Sequence, residues 1–352
     1  FGVPTTRALA AVTTGETVVR EQRLPGAVLT RVAASHIRIG TFEFFAARDD
    51  REAVAELTRY TLSRHFPLQA QEQLTAEGQA LRLLDRVIDA QASLVARWLG
   101  LGFVHGVMNT DNTSISGETI DYGPCAFLDE YDPDKTFSSI DRGGRYAFGN
   151  QPKVLLWNLS RFAETLLPLL ADQQDDAVRL ATERLERFPN LFEAAQFRVM
   201  RDKLGLSTED SADTLLIDDL LERLSLNQVD YTVFFRGLCA AAEDPAADAS
   251  LAALFADPSA FYGFAERWRR RLQLERVPPE ARAAAMRLAN PAFIPRNHRI
   301  EQAIAAGLSG NFEPFETLVR VLARPYRDQP EFSHLAEPPL VNERVRATFC
   351  GT

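Results

Sequence analysis

The chain has 352 residues with a net charge of −9, and 46% of them are hydrophobic and 25% charged; this excludes disordered and collagen-like classes and leaves room for one large domain or two modest ones. The acidic balance argues against nonspecific nucleic-acid binding, which rests on Lys and Arg neutralising phosphates, and no apolar run approaches the roughly 18 residues of a membrane span. Cys125, Cys239 and Cys350 are far apart, odd in number and outside any zinc spacing, which points to a reducing, cytoplasmic setting.

The opening residues Phe1-Gly2-Val3-Pro4-Thr5-Thr6-Arg7 carry no Met and no basic stretch followed by an apolar core. They read as the middle of a domain rather than a signal peptide, and the expectation is that an N-terminal part of the natural protein lies upstream. Thr17–Arg20 and Ala27–Val32 read as two strands joined through a turn at Pro25-Gly26. Asp49 and Asp50 offer an N-cap for a helix over 51–65. Over 71–99, Leu84, Val87, Ile88, Leu94, Val95, Trp98 and Leu99 recur at helical spacing until Gly100 and Gly102. Residues 105–150 are dense in Asn, Asp, Gly, Ser and Thr, and a long ordered loop of this kind is usually functional. From Pro152 onward the pattern predicts helices at 153–170, 173–187, 189–204, 212–224, 229–242, 258–273, 279–289, 299–308 and 311–324. The last 27 residues are Pro-rich and are expected to lie across the surface.

The segment His105-Gly-Val-Met-Asn-Thr-Asp-Asn112 and the later Ile120-Asp-Tyr-Gly-Pro124 carry the chemistry. Asp111 and Asn112 are adjacent on a loop after a helix. A hairpin through Ser116-Gly117-Glu118 would return Asp121 to Asn112. That cluster of hard oxygen donors suits magnesium, which takes one or two protein groups plus substrate phosphates, and a carboxylate beside the metal can accept a proton from an attacking hydroxyl. Kinases combine a catalytic Asp, a metal-holding Asn and an Asp-aromatic-Gly triplet in this way. Here the Asp and Asn are adjacent rather than separated by four residues, which sets the chain apart from an ordinary kinase.

These two segments, together with Tyr131-Asp-Pro133, Gly144-Arg-Tyr146, Gln151-Pro152 through Trp157-Asn158-Leu159 and the near-terminal Cys350, closely resemble the selenoprotein O (SelO/YdiU) family over the whole chain. The resemblance implies an α+β, protein kinase-like (pseudokinase) fold with a mostly helical C-lobe and a partial β N-lobe. It divides the chain into an N-lobe remnant over 1–50, a helical C-lobe over 51–325 holding catalytic and activation loops at 105–150, and an irregular tail over 326–352. The implied activity is protein adenylyltransfer: AMP passes from ATP, bound in a flipped orientation, to Ser, Thr or Tyr hydroxyls of protein substrates, and pyrophosphate leaves. Asp111 is implied as proton acceptor. Asn112 and Asp121 are implied as ligands for Mg2+ or Mn2+, with Asp121 also beside the nucleotide. Arg31 and Arg38 are implied as phosphate-binding arginines, a role that suits the fixed fork of guanidinium donors.

The family's Gly-rich loop, phosphate-pairing Lys and partner Glu fall upstream of Phe1, so the chain alone is expected to bind ATP weakly. Cys350 is implied as a redox residue. The family's activation-loop cysteine aligns with Phe137, which leaves Cys125 as a partner to weigh against its reading as a small buried residue. His105 is expected to brace its loop, the run Arg267-Trp268-Arg269-Arg270-Arg271 to be a solvated helix face, and Ser138 and Ser139 to be exposed acceptor candidates. UMP transfer with manganese, an ordinary γ-phosphate kinase and an inactive binding scaffold are the rival readings.

Overall fold

The computed structural model describes residues 1–19, 23–67 and 73–349. The class is α+β: two small sheets and a predominantly helical remainder. Strands β1 (Arg7–Val19) and β2 (Arg23–Val32) pair antiparallel from Arg7 opposite Val32 to Val19 opposite Arg23. Pro25-Gly26 is therefore not the turn between them: Pro25 lies inside β2 opposite Thr17, next to a register irregularity that absorbs it. The ribbon leaves Leu9, Val12, Val19, Val28 and Leu29 exposed.

Three helices that precede the loop region build about half of the first core. Helix α1 (Ile39–Ala46) was not anticipated, because eight residues hold too few turns for a periodic signal. It buries Ile39 and Phe42, the latter edge-on to Phe162 at 5.0 Å. Helix α2 (Arg51–His65) starts where Asp50 accepts a hydrogen bond from the Ala53 N–H at 2.9 Å. Helix α3 (Ala76–Leu101) is capped by Thr75 and stopped by Gly102 at φ 72°, a left-handed position that glycine adopts without Cβ strain. The two-residue strands β3 (Phe103–Val104) and β4 (Ala126–Phe127) pair antiparallel directly after it.

Helix α4 (Gln151–Leu170) then crosses behind the loops. It joins α1, α2, α3 and α5 (Gln174–Leu185) in one apolar cluster around Leu84, Val87, Ile88, Leu159 and Phe162. A second cluster lies among α6 (Phe188–Leu204), α7 (Asp213–Leu226), α8 (Tyr231–Ala241), α9 (Asp248–Ala252), α10 (Pro258–Leu272) and α11 (Pro279–Ala289), centred on Phe234, Phe261, Phe264 and Trp268. Helices α12 (Asn297–Leu308) and α13 (Glu313–Leu322) complete the chain's helical part.

Two buried arginines tie these parts together. Arg296, fully buried, pairs with Asp230 at 2.7 Å and Asp129 at 2.8 Å. Arg271 pairs with Asp213 at 2.6 Å and Glu275 at 2.7 Å. The run 267–271 is thus not a solvated face: Trp268 is fully buried, Arg269 pairs with Asp248 at 2.6 Å and Arg267 pairs with Asp219. The tail ends in contact with the loop region. The Thr348 N–H donates to the Phe137 carbonyl at 2.7 Å, and the Ser139 N–H donates to the Thr348 carbonyl at 3.0 Å.

Candidate active site

The loop that follows β3 is held by side chains rather than by a sheet. His105 is fully buried. Its backbone N–H donates to Gln151 Oε1 at 3.0 Å, and Gln151 Nε2 donates to the Phe103 carbonyl at 2.9 Å. Two turns further along α4, on the same face, Asn158 Nδ2 donates to the Met108 carbonyl at 3.0 Å and to Thr113 Oγ1 at 2.9 Å. Residues 103–113 therefore lie along one stripe of α4. These braces are missing from the candidate site residues of the sequence analysis, although a Gln and an Asn on an otherwise apolar helix face are the signal for them, since buried polar groups need partners.

His105 links this loop to the Asp121 segment. Its Nε2–H donates to the Ile120 carbonyl at 2.8 Å, while Nδ1 faces the Val107 N–H at 3.4 Å. The two bonds together require the neutral Nε2–H tautomer. Burial lowers the imidazole pKa, against the opposing effects of the Ile120 bond and the Asp121 charge. His105 is consequently a brace and not a base, as its place in the sequence suggested. Gly106, at φ 85°, allows the two segments to meet: a Cβ there would lie 2.8 Å from the Pro124 carbonyl oxygen.

Asp111 and Asn112 fall in a short 3-10 turn over Thr110–Asn112. Asn112 Nδ2 donates to the Val107 carbonyl at 3.0 Å, which fixes the amide and leaves its oxygen without a donor among the described residues. The Asp111 side chain is 65% exposed. Its other neighbours come from the start of α1. Arg38 Nη1 donates to the Asp111 carbonyl at 3.0 Å and lies 3.8 Å from its carboxylate. A Cβ on Gly40 would stand 2.3 Å from Asp111 Oδ1, so a larger residue there would push the carboxylate out of this position. The approach is set by short antiparallel pairing: the Ile39 N–H donates to the Thr113 carbonyl and the Ile115 N–H to the Ile37 carbonyl, both at 3.0 Å.

Asp121 takes φ 63°, a conformation uncommon for a side chain other than glycine and found at functional positions. The segment between Asn112 and Asp121 is not the expected hairpin. Ser114 pairs with Arg38 and Thr119 pairs with Thr5, each outside the segment, around a turn in which the Gly117 N–H donates to Ser114. Pairing with neighbouring chain satisfies those backbone groups in place of self-pairing.

Arg31 stands apart from this arrangement. It lies on the exposed ribbon opposite Ala8, and its guanidinium has no hydrogen-bond or ion-pair partner among the described residues. The structure brings Arg38 to Asp111 and leaves Arg31 outside that contact. Ser138 is buried, which corrects its reading as an exposed acceptor; Ser139 is exposed. Cys350 lies outside the described residues. Cys125 forms no disulfide among the described residues; burial pushes its thiol up to about 12, with Asp121 adding to the effect, so the thiol is a poor nucleophile.

Asp111, Asn112 and Asp121 carry oxygen donors of the kind a hard divalent cation takes. They supply two carboxylates and one amide oxygen, the chemistry that magnesium and manganese share. Among the described residues no three His, Cys, Asp or Glu side chains form a metal cage. A cation held partly by substrate phosphates does not need one.

The family model described as protein adenylyltransferase SelO matches residues 1–323. The chain belongs to this family. It is 56% identical over 352 residues to a protein nucleotidyltransferase YdiU of Nitrobacter hamburgensis, covering 100% of this chain and 69% of the relative. It is 55% identical over 353 residues to the Bradyrhizobium diazoefficiens protein of the same name, with 100% and 71% covered. It is 56% identical over 359 residues to that of Methylorubrum populi, again with 100% and 71% covered. The SelO-family chain thus aligns along its full described length with nucleotidyltransferases.

Proposed function

We infer that the protein is a nucleotidyltransferase that moves AMP from ATP to Ser, Thr or Tyr hydroxyls of protein substrates. Family membership supports the reaction class. The observation that carries the site is the His105 brace, which ties the Asp111-Asn112 loop to the Asp121 segment through a 2.8 Å hydrogen bond to the Ile120 carbonyl. In this reading the acceptor hydroxyl oxygen attacks the α-phosphorus, the bond from that phosphorus to the bridging oxygen of the pyrophosphate breaks, and the hydroxyl proton goes to Asp111. Asn112 and Asp121 would hold Mg2+ or Mn2+, which supplies charge neutralisation on the phosphates when bound. Arg38, poised on Asp111, and Arg31 on the ribbon would take the phosphates through their guanidinium forks. Catalysis of this kind is mainly positioning and electrostatics.

The same reading assigns a kinase-like architecture, with residues 1–50 as the remaining part of an N-lobe, 51–325 as a helical C-lobe and 326–352 as a tail. Among the described residues no helix is long and apolar enough to cross a membrane, and a cytoplasmic site of action fits Cys125 and Cys239, which form no disulfide among the described residues.

The test supplies ATP labelled at the α- or the γ-position with a protein acceptor. Retention of α-label alone is the expected result. Retention of γ-label alone would make the protein a kinase, retention of neither a scaffold, and preferential use of labelled UTP with manganese a uridylyltransferase.

A further inference from the structure

Trp157 of α4 is 44% exposed, whereas Trp98 and Trp268 are buried. Two guanidinium groups lie against its indole: Arg145 Cζ stands 4.7 Å from the ring centroid and Arg161 Cζ 5.5 Å. Lys153 is exposed one turn before Trp157 on the same face of the helix. Three cations thus surround one exposed indole on a chain whose net charge is −9. The nearby carboxylates are engaged. Asp141 accepts the backbone N–H groups of Arg145 at 2.9 Å and Tyr146 at 2.7 Å, fixing the backbone on which Arg145 sits. Glu164 pairs with Arg161. The Arg145 guanidinium and the Lys153 ammonium have no hydrogen-bond or ion-pair partner among the described residues.

Helix α4 joins this patch to the catalytic loop. Asn158, next to Trp157, donates to the Met108 carbonyl. Asn150, at the start of the helix, donates to the Gly144 carbonyl at 2.8 Å. One helix therefore holds both the loop that carries Asp111 and the segment that carries Arg145. Stacking on the indole keeps the planar fork of Arg145 in place, so less side-chain freedom is lost when it takes a carboxylate. Trp and Arg are also among the residues that most often carry binding energy at protein interfaces.

We propose that this patch is a docking surface for the acceptor protein, taking Asp or Glu side chains that lie near the hydroxyl receiving AMP. The acceptor's role rests on the nucleotidyltransferase reading; the docking chemistry rests on the surroundings of Trp157. Arg145 takes a carboxylate through paired donors, Lys153 adds a compact point charge, and the indole covers the apolar part of the bound segment. Nucleic acid also meets cations and aromatic faces, but the acidic balance of the chain opposes it.

The test measures fluorescence anisotropy, without nucleotide, of a labelled peptide whose central Tyr is flanked by glutamates, beside a glutamine-flanked counterpart. Saturable binding of the glutamate peptide is expected, weakened at least about tenfold by Arg145→Glu and severalfold by Trp157→Leu; both positions are exposed, so the fold persists. The proposal is overturned if the two peptides bind equally, if Arg145→Glu binds as tightly as the parent, or if oligothymidylate binds more tightly than the glutamate peptide. Binding that survives Arg145→Glu and disappears in Arg31→Glu would move the contact to the ribbon and overturn it too. With ATP labelled at the α-position, Arg145→Glu should raise the KM for the peptide and leave that for ATP unchanged. Equal labelling of both peptides would overturn the docking surface and leave the nucleotidyltransferase reading intact. Labelling of neither would end that reading, while the anisotropy still decides whether the patch takes acidic segments.

Discussion

The β1–β2 ribbon and the loop over 103–124 both lie outside the helices, yet they are held by different means. In the ribbon each strand bonds to one partner, while Val12 remains 63% and Leu29 56% exposed. In the loop, the groups that order the chain are buried side chains: Gln151, Asn158, His105, Gln91 and Trp98. A ladder open to water exchanges one set of hydrogen bonds for another and contributes modestly, whereas a buried partner cannot be removed without leaving a polar group unsatisfied. The ribbon therefore tolerates any sequence of strand-forming residues, and the loop tolerates few besides its own.

The largest effect should come from the loop's chemistry. Asp121→Asn keeps a residue that accepts the left-handed backbone and removes the charge, and it should lower AMP transfer at least about a hundredfold at an unchanged melting temperature. Full activity in that variant would remove Asp121 from the metal site. Gly40→Ala comes next: the new methyl displaces the Asp111 carboxylate, and transfer should fall about tenfold or more while the fold persists. Wild-type rates would show that Asp111 can reposition freely. Asn158→Leu leaves the Met108 carbonyl without a donor inside the core and should cost about 2–3 kcal/mol in denaturant unfolding.

Acid titration extends the contrast to the helical half. Burial tends to raise the Glu275 pKa, but bonds from Ser207, Thr208 and Arg271 outweigh it and hold the carboxyl at about 2. Its contribution is complete above the ordinary carboxylate range, near 4.5, and is lost as pH falls toward 2. Glu275→Gln should flatten that part of the stability profile, and an unchanged slope would show that other carboxylates govern it. The smallest effect belongs to the ribbon, where Val12→Thr or Leu29→Thr should stay within about 0.5 kcal/mol. A ribbon change as costly as Asn158→Leu would erase the distinction between the two regions.

The helical half was legible because period 3.6 survives without tertiary information: α2, α10 and α11 begin and end within a residue of the predicted 51–65, 258–273 and 279–289. Of the residues read as start and stop, Asp50 and Gly102 hold, since each acts on its own backbone neighbourhood, whereas Asp49 precedes the cap and Gly100 lies inside α3. The β pattern was less informative. Pro25-Gly26 resembles a turn in every local respect, and only the register opposite Thr17 shows it inside a strand. The Arg267–Arg271 run looked solvated because its acidic partners, Asp213, Asp219 and Asp248, come from other helices.

Residue types and spacing alone determined that a loop bearing Asp111, Asn112 and Asp121 follows a buried helix, and that the chain resembles a nucleotidyltransferase family. Tertiary structure alone decided which groups face one another: Arg38 and Gly40 against Asp111, His105 against Ile120, Arg271 against Asp213. Local order follows from interactions within a few residues, which a sequence displays. Partners more than seventy residues apart, such as Arg38 and Asp111, meet only when the packing of apolar faces brings their backbones together.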